Sequence, residues 1–292
     1  MTKITYPAIY EAADKGSKSA QSWYLTLVRF EYLFLIILAI LSMELFNSEL
    51  YYFGFVMVLL TSLAILFWMW FRKPEQAWYR CRALAESIKT ISWRYMMRSE
   101  PFEDAQSVSV PRSELRNILK GLLYNNENLG EHIIQRDDQL DQVTHEMDTV
   151  RESELERRKH IYLEERIKEQ RLWYTKKASS NKKSYKCWMC FCVLIYVAAF
   201  FLIILRAMYW DESWQIWPLE PLIVIASAIV GWIQIKKFNE LTAAYTLTAH
   251  EIGFLQAGIS EINNEKELSD FVNEAELAFS REHTQWKARQ SS

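Results

Sequence analysis

Near its C-terminal end the chain reads AFSREHTQWKAR, Ala278 to Arg289, with His283 directly after Glu282 and three residues before Trp286. A histidine beside a carboxylate can ligate a metal, move a proton or pack. A metal site needs partners at ligand spacing, and there is no HExxH pair nearby; His132, His145, His160 and His250 show no such spacing either. The helical register decides for packing. Leu268, Val272, Ala275, Phe279, His283 and Trp286 follow one another in steps of 4, 3, 4, 4 and 3, which places them on one face of a helix over about 265–288. Phe279, His283 and Trp286 are therefore expected to dock that helix on the one before it, with a pH-sensitive or ligand-binding histidine as the alternative. Asn263 or Asn264 supplies its N-cap.

The second chemical cluster is Arg157, Arg158 and Lys159 in the stretch ESELERRK, Glu152 to Lys159. A short basic run can meet a nucleotide phosphate or a partner protein, but the leading reading is a solvated charged face. Cys81, Cys187, Cys190 and Cys192 lack the paired CxxC spacing of a closed zinc site. The last three stand at the mouth of an apolar run and read as small packing side chains, with juxtamembrane acylation as the alternative. The chain has no Gly-rich phosphate loop, no nucleophile elbow and no paired intramembrane acids. Nothing in it marks an enzyme, a metal or a cofactor site.

These residues are set in a chain of 292 residues, half of them hydrophobic, with 12 tryptophans, yet with an ordinary 24% of charged residues. The three facts agree when apolar and charged residues are segregated. With 34 Lys and Arg against 36 Asp and Glu, no basic field points to nucleic acid.

Four apolar runs carry the segregation: Phe30 to Phe46, Leu50 to Trp70, Cys187 to Leu205 and Ile216 to Ile235. Each approaches the roughly 20 residues that a helix needs to cross a bilayer. A buried soluble hairpin is the alternative. The runs are expected as spans over about 30–46, 50–71, 187–208 and 216–235. Tyr51, Tyr52, Trp210, Trp214 and Trp217 mark one interface, and Trp68, Trp70, Trp188 and Trp232 the other. Lys and Arg crowd every flank outside the two hairpins: Lys3, Lys15, Lys18 and Arg29, then Arg72 and Lys73, then Lys182, Lys183 and Lys186, then Lys236 and Lys237. The connecting loops hold only Arg206. Both termini and the middle segment are expected in the cytoplasm. No span is expected to carry a membrane-buried charge. No cleavable signal peptide precedes the first run.

The two halves resemble each other. SWY (Ser22 to Tyr24) precedes the first hairpin and LWY (Leu172 to Tyr174) the second, and a basic pair closes each hairpin. Two spans per half return the chain to the same side, so the halves are parallel repeats. After the first basic pair Ala77, Cys81, Leu84, Ile88, Ile91 and Tyr95 recur in steps of 4 and 3; after the second Phe238, Leu241, Tyr245, Thr248, Ile252, Leu255, Ile259 and Ile262 do the same. That is a heptad stripe. Runs two and four are expected to extend as stalks over 75–98 and 236–262, with a kink at Pro74 and a bend near Gly253 and Gly258. Leu140, Val143, Met147 and Val150 suggest two further heptads between them. The expected fold is an all-α integral membrane protein of two parallel two-helix transmembrane hairpins with long cytoplasmic helical stalks and coiled-coil packing.

The second half, through its hairpin, TAHEI (Thr248 to Ile252) and FSREHTQW (Phe279 to Trp286), resembles the SLATT domains, two-span membrane modules with cytoplasmic helices. The first half resembles another branch of that group through SAQSWY (Ser19 to Tyr24) and KTISWRYMMRSEPF (Lys89 to Phe102). The resemblance implies two tandem units, 1–102 and 173–292, joined by a helical connector over 103–172. It implies a bacterial inner-membrane effector of conflict or antiphage systems. Its partners would be a nucleotide second messenger, or a protein that senses or makes one, and its activity membrane permeabilisation. A gated pore needs several chains around an axis, hence a homo-oligomer in the lipid bilayer. Small or polar span residues Thr61, Ser62, Ser227 and Gln234 are its lining candidates, against plain helix packing. Glu44, Asp211, Glu212 and Glu220 are candidates for an acidic outer mouth, against ordinary interfacial charge. The competing function is a membrane-anchored scaffold that conducts nothing.

Overall fold

A computed structural model describes residues 4–103, 107–130, 133, 141–208 and 217–290, the stretch 280–290 by its backbone alone. The described residues are helical throughout, with four helices long and apolar enough to cross a membrane. The chain divides into two units. A head unit takes residues 1–22, 74–175 and 246–292; a span unit takes residues 23–73 and 176–245.

The span unit contains most of α1 (Ala8–Leu41), all of α2 (Glu49–Arg72), most of α7 (Glu169–Met208) and all of α8 (Leu219–Lys236). α1 ends at Leu41, short of Phe46. The Tyr51 hydroxyl donates to the Leu41 carbonyl over 2.5 Å, which supplies an acceptor-bound carbonyl with a donor at the helix end. Ser48 caps α2, its hydroxyl accepting from the Tyr51 amide. α7 and α8 meet through Cys192, Ile195, Ala226, Ile229 and Ile233, with Trp188 and Trp232 packed against them. Much of the rest faces outward: Phe53, Val56, Leu60, Leu63 and Phe67 on α2, and Phe191, Leu194, Phe200 and Phe201 on α7, are exposed. An apolar surface of that extent is stable in lipid and not in water. The chain is a membrane protein.

The head unit is built on α3 (Pro74–Met96), with α4 (Ser109–Tyr124), α5 (His145–Glu152) and α10 (Glu265–Gln290) packed on it. α6 (Leu155–Tyr162) runs into a π-helical stretch, Leu163–Lys168, and from there into α7. The α3 stripe is inside as its spacing requires: Ala77, Cys81, Leu84, Ile88 and Tyr95 are buried. Asn264 caps α10, its side-chain oxygen accepting from the Glu267 amide over 2.9 Å while the Glu267 carboxylate accepts from the Asn263 amide over 2.7 Å. Leu268, Val272, Ala275 and Phe279 form its buried face.

Two expectations change here. The helices that run unbroken from one unit's residues into the other's are α1 and α7, which carry runs one and three, and the helix Phe238–Gly258 that follows run four. Runs two and four do not continue as single stalks: Lys73 and Lys237 are left-handed, at φ 44 and 48, and new helices start after them, α3 and α9 (Phe238–Gly258). Pro74 accounts for the first break, because proline cannot continue a hydrogen-bonded ladder and suits a first helical position. The second expectation was that the last helix docks on α9. Its main partner is α3; on α9, the Arg171 side chain lies across Gly253 and donates to Gln256 over 2.8 Å. α9 passes through Gly253 without ending there. Leu140 lies outside the described residues, while Met147 and Val150 are buried on α5.

Candidate functional site

In the head unit a chain of buried charges ties α3, the α6–α7 junction and α10 together. A π-helical turn widens the backbone by one residue per turn. Across this one Tyr162, Arg166 and Ile167 all point inward and are buried. Arg166 donates through Nε to Glu276 Oε1 over 2.8 Å and through Nη2 to Oε2 over 2.6 Å. Both side chains are almost wholly excluded from solvent, at 1% and 0%. The same carboxylate accepts from Tyr162 Oη at 3.0 Å and from Thr90 Oγ1, on α3, at 3.0 Å. Four donors on one carboxylate is the arrangement that lets an ion pair survive burial. Burial pulls the Arg166 guanidinium down, but the Glu276 carboxylate overrides this and holds it up. Burial, then Glu276, pushes the Tyr162 hydroxyl well up. The Arg166 guanidinium also stacks on the Phe279 ring, 4.8 Å from its centroid.

Two further arginines close the C-terminal end of α3. A helix leaves its last carbonyls without internal partners, and cations fit there. Arg151 donates to the Tyr95 carbonyl over 2.6 Å and to the Phe102 carbonyl over 2.8 Å. Arg158 donates to the Met97 carbonyl over 3.0 Å and pairs with Glu265, the first residue of α10. The Ser99 hydroxyl donates to the Ser269 carbonyl over 2.7 Å. Arg158 is fully buried, which overturns the solvated-face reading of ESELERRK at that position. Of the three basic candidates only Arg157 is exposed; Lys159 donates to the Ile262 carbonyl over 2.6 Å and to Glu156 over 2.9 Å.

In the span unit the central polar contact joins α1 to α2. Ser62 is buried, and its hydroxyl donates to Glu31 Oε1 over 2.7 Å. The other oxygen of Glu31 is buried with no hydrogen-bond partner. Ser62 stands thirteen residues after Glu49 and ten before Arg72, so about 20 Å and about 15 Å from the two ends of α2. A carboxyl group therefore sits within the length of a span, against the expectation of no membrane-buried charge. The reading failed because Glu31 opens the first apolar run in sequence, while α1 begins 23 residues earlier, at Ala8. Arg29, two residues before it, lies with its guanidinium 5.2 Å from the centre of the Trp232 ring on α8.

The other lining candidates are scattered. Thr61 is exposed and bonds back to the Met57 carbonyl over 2.7 Å. Ser227 and Gln234 are exposed on α8. Ser227 lines an open cleft of about 540 Å³ between α1 and α8, together with Tyr32, Leu35, Ala39 and Val224. Of the outer-mouth candidates, Glu220 lies at the end of that cleft and accepts from Ser42 Oγ over 3.2 Å. Glu44 is exposed in the turn after α1 at φ 51. Asp211 and Glu212 lie outside the described residues, as do Trp210 and Trp214 and the side chains of His283 and Trp286. Phe279 is buried in the head unit. Sequence reasoning missed Arg166, Glu276 and Glu31. The signal for Glu276 was present: it lies four residues after Val272 and three before Phe279, inside an apolar face.

Two family models match the chain in tandem. The one described as SMODS and SLOG-associating 2TM effector domain 3 matches residues 7–159. The one described as SMODS and SLOG-associating 2TM effector domain 1 matches residues 162–286. No curated protein and no solved structure matches the chain. Thr90, Ser99 and Arg158 fall in the first match and Glu276, Ser269 and Glu265 in the second, so these three contacts join the two domains, whereas Arg166 and Tyr162 fall with Glu276 in the second.

Proposed function

The chain belongs to the SMODS and SLOG-associating two-transmembrane effector family, SLATT, with two of its domains in tandem, and from that premise we propose that it is a gated pore, or membrane-permeabilising effector, of a nucleotide-signalled bacterial defence. SLATT domains are membrane effector modules of conflict systems. Several copies would assemble in the inner membrane, with the termini and the head unit in the cytoplasm, an orientation that the Lys and Arg distribution supports. The signal would be a nucleotide, or a protein that senses or makes one, acting on the head unit. The observation that carries the reading is the continuity of α1, α7 and α9, each of which gives residues to both units without a break. A packed helix moves as a rigid element, so a shift of its head-unit turns is delivered to its span.

The test is current across a planar bilayer that holds the purified full chain, with and without nucleotide second messengers. Discrete, signal-dependent openings support the pore, and Ser227→Leu or Gln234→Leu should reduce them if α8 lines the path. No current under any signal, from protein shown to be folded and assembled, sinks the pore and leaves the membrane-anchored scaffold.

A further inference from the structure

We propose that Glu31 and Ser62 form a binding site for a monovalent cation between α1 and α2 in the span unit. Three observations on this pair carry the proposal. First, Glu31 Oε1 and Ser62 Oγ are 2.7 Å apart, and Glu31 Oε2 is buried with no hydrogen-bond partner, so the pair keeps unused acceptor capacity. A buried acceptor without a partner is costly and calls for an occupant.

Second, the charge has no ion-pair partner among the described residues. α2 has no charged residue between Glu49 and Arg72, α7 none between Lys186 and Arg206, and α8 none between Glu220 and Lys236. The nearest cation in sequence, Arg29, is two residues away, about 200° around a helix of 3.6 residues per turn, and is engaged with Trp232. Carboxylates inside membrane segments pair with a cation or mark an ion path.

Third, the count of charges selects the ion class. Hard oxygen donors suit alkali and alkaline-earth ions. One carboxylate balances one positive charge, whereas Ca²⁺ and Mg²⁺ sites gather more oxygens or keep a shell of water. The occupant is therefore a monovalent cation of the sodium or potassium kind. Glu31 and Ser62 complete its shell with water or with backbone carbonyls. The site deepens the pore reading, on which its role as a cation selector rests; its occupancy is measured separately from conduction.

The experiment measures thermal unfolding of the full chain in nanodiscs, in potassium, sodium or choline chloride at equal ionic strength. A ligand that binds the native state raises the midpoint in proportion to the logarithm of its concentration, and choline is too bulky to enter. The expected result is a saturable rise with potassium or sodium that Glu31→Gln abolishes. Ser62→Ala, which keeps the carboxylate and changes little volume, should raise the half-saturating concentration about tenfold. An equal rise in Glu31→Gln, or no rise over choline in the native chain, overturns the site. Reversal potentials under a potassium chloride gradient separate the two readings. Cation stabilisation without current keeps the site and removes the pore. Current whose cation preference survives Glu31→Gln, with no stabilisation, keeps the pore and removes the site.

Discussion

Replacing Glu276 by Gln tests whether the buried ion pair holds α10 in the head unit. The native carboxylate accepts four hydrogen bonds, two from Arg166 and one each from Tyr162 and Thr90. Gln keeps the shape but offers one oxygen, and it turns two donors of its own toward Thr90 and the Arg166 fork. Arg166, at 1% exposure, is left as an uncompensated buried cation. Breaking such a pair from one side costs about 3–5 kcal/mol, or roughly a hundredfold to a few thousandfold in the opening equilibrium of α10. Amide hydrogen exchange reads that equilibrium directly. Peptides covering 265–279 should exchange at least about a hundredfold faster in Glu276→Gln, while α2 peptides keep their native rate. The double variant Arg166→Met with Glu276→Leu removes both charges and should recover at least half of the lost protection, since apolar replacement of a buried pair is close to neutral. α10 protection within about threefold of native in Glu276→Gln would refute the clamp. A double variant no better than the single one would refute the uncompensated charge as its cause.

Other consequences are checked by simpler measurements. Burial, with the 2.6 Å hydrogen bond to Asp148, pushes the Tyr95 hydroxyl up to about 12. The folded chain then keeps a proton that unfolded tyrosine releases near pH 10, so the Tyr95 contribution is intact below pH 10 and is lost between there and about 12. Urea unfolding of the head unit should weaken over that window, and less steeply in Tyr95→Phe. A Cβ on Gly231 would overlap the Tyr32 hydroxyl, so Gly231→Ala should destabilise the α1–α8 contact by about 1–3 kcal/mol; Tyr32→Leu in the same chain should restore much of the thermal midpoint. At the left-handed Lys237, Lys237→Val should cost about 1–2 kcal/mol in detergent unfolding, whereas Lys237→Gly should not destabilise. Cys81 is buried, and burial pushes its thiol up to about 11. With Cys187, Cys190 and Cys192 replaced by Ser, maleimide should therefore label the native chain only on the timescale of head-unit unfolding.

The apolar runs, the helical stripes and the tandem family were legible in the chain because each is a local signal. An apolar run that can fill a bilayer shows itself within one window of residues, and so does the 4-and-3 spacing that buried Ala77, Cys81, Leu84 and Ile88. The Asn264 cap was legible for the same reason, since its bond reaches only three residues on. The candidate sites were legible only in part. Ser62 was found as a polar residue in a span, but not its partner 31 residues away; Arg158 was found, but as a surface charge.

What the tertiary structure alone decided is which distant residues share a burial site. Whether Arg158 meets water or the Met97 carbonyl depends on where α3 ends relative to α6, 61 residues apart in the chain. Glu276 reads as one more surface acid until α10 crosses α3 and the π-turn presents Arg166 to it. Glu31 reads as the edge of a span until antiparallel pairing of α1 with α2 sets it beside Ser62. A charge's free energy is fixed by its surroundings, not by its neighbours in sequence. The sequence therefore determined that this is a helical membrane protein of two repeated halves, and the packing determined which of its charges are buried.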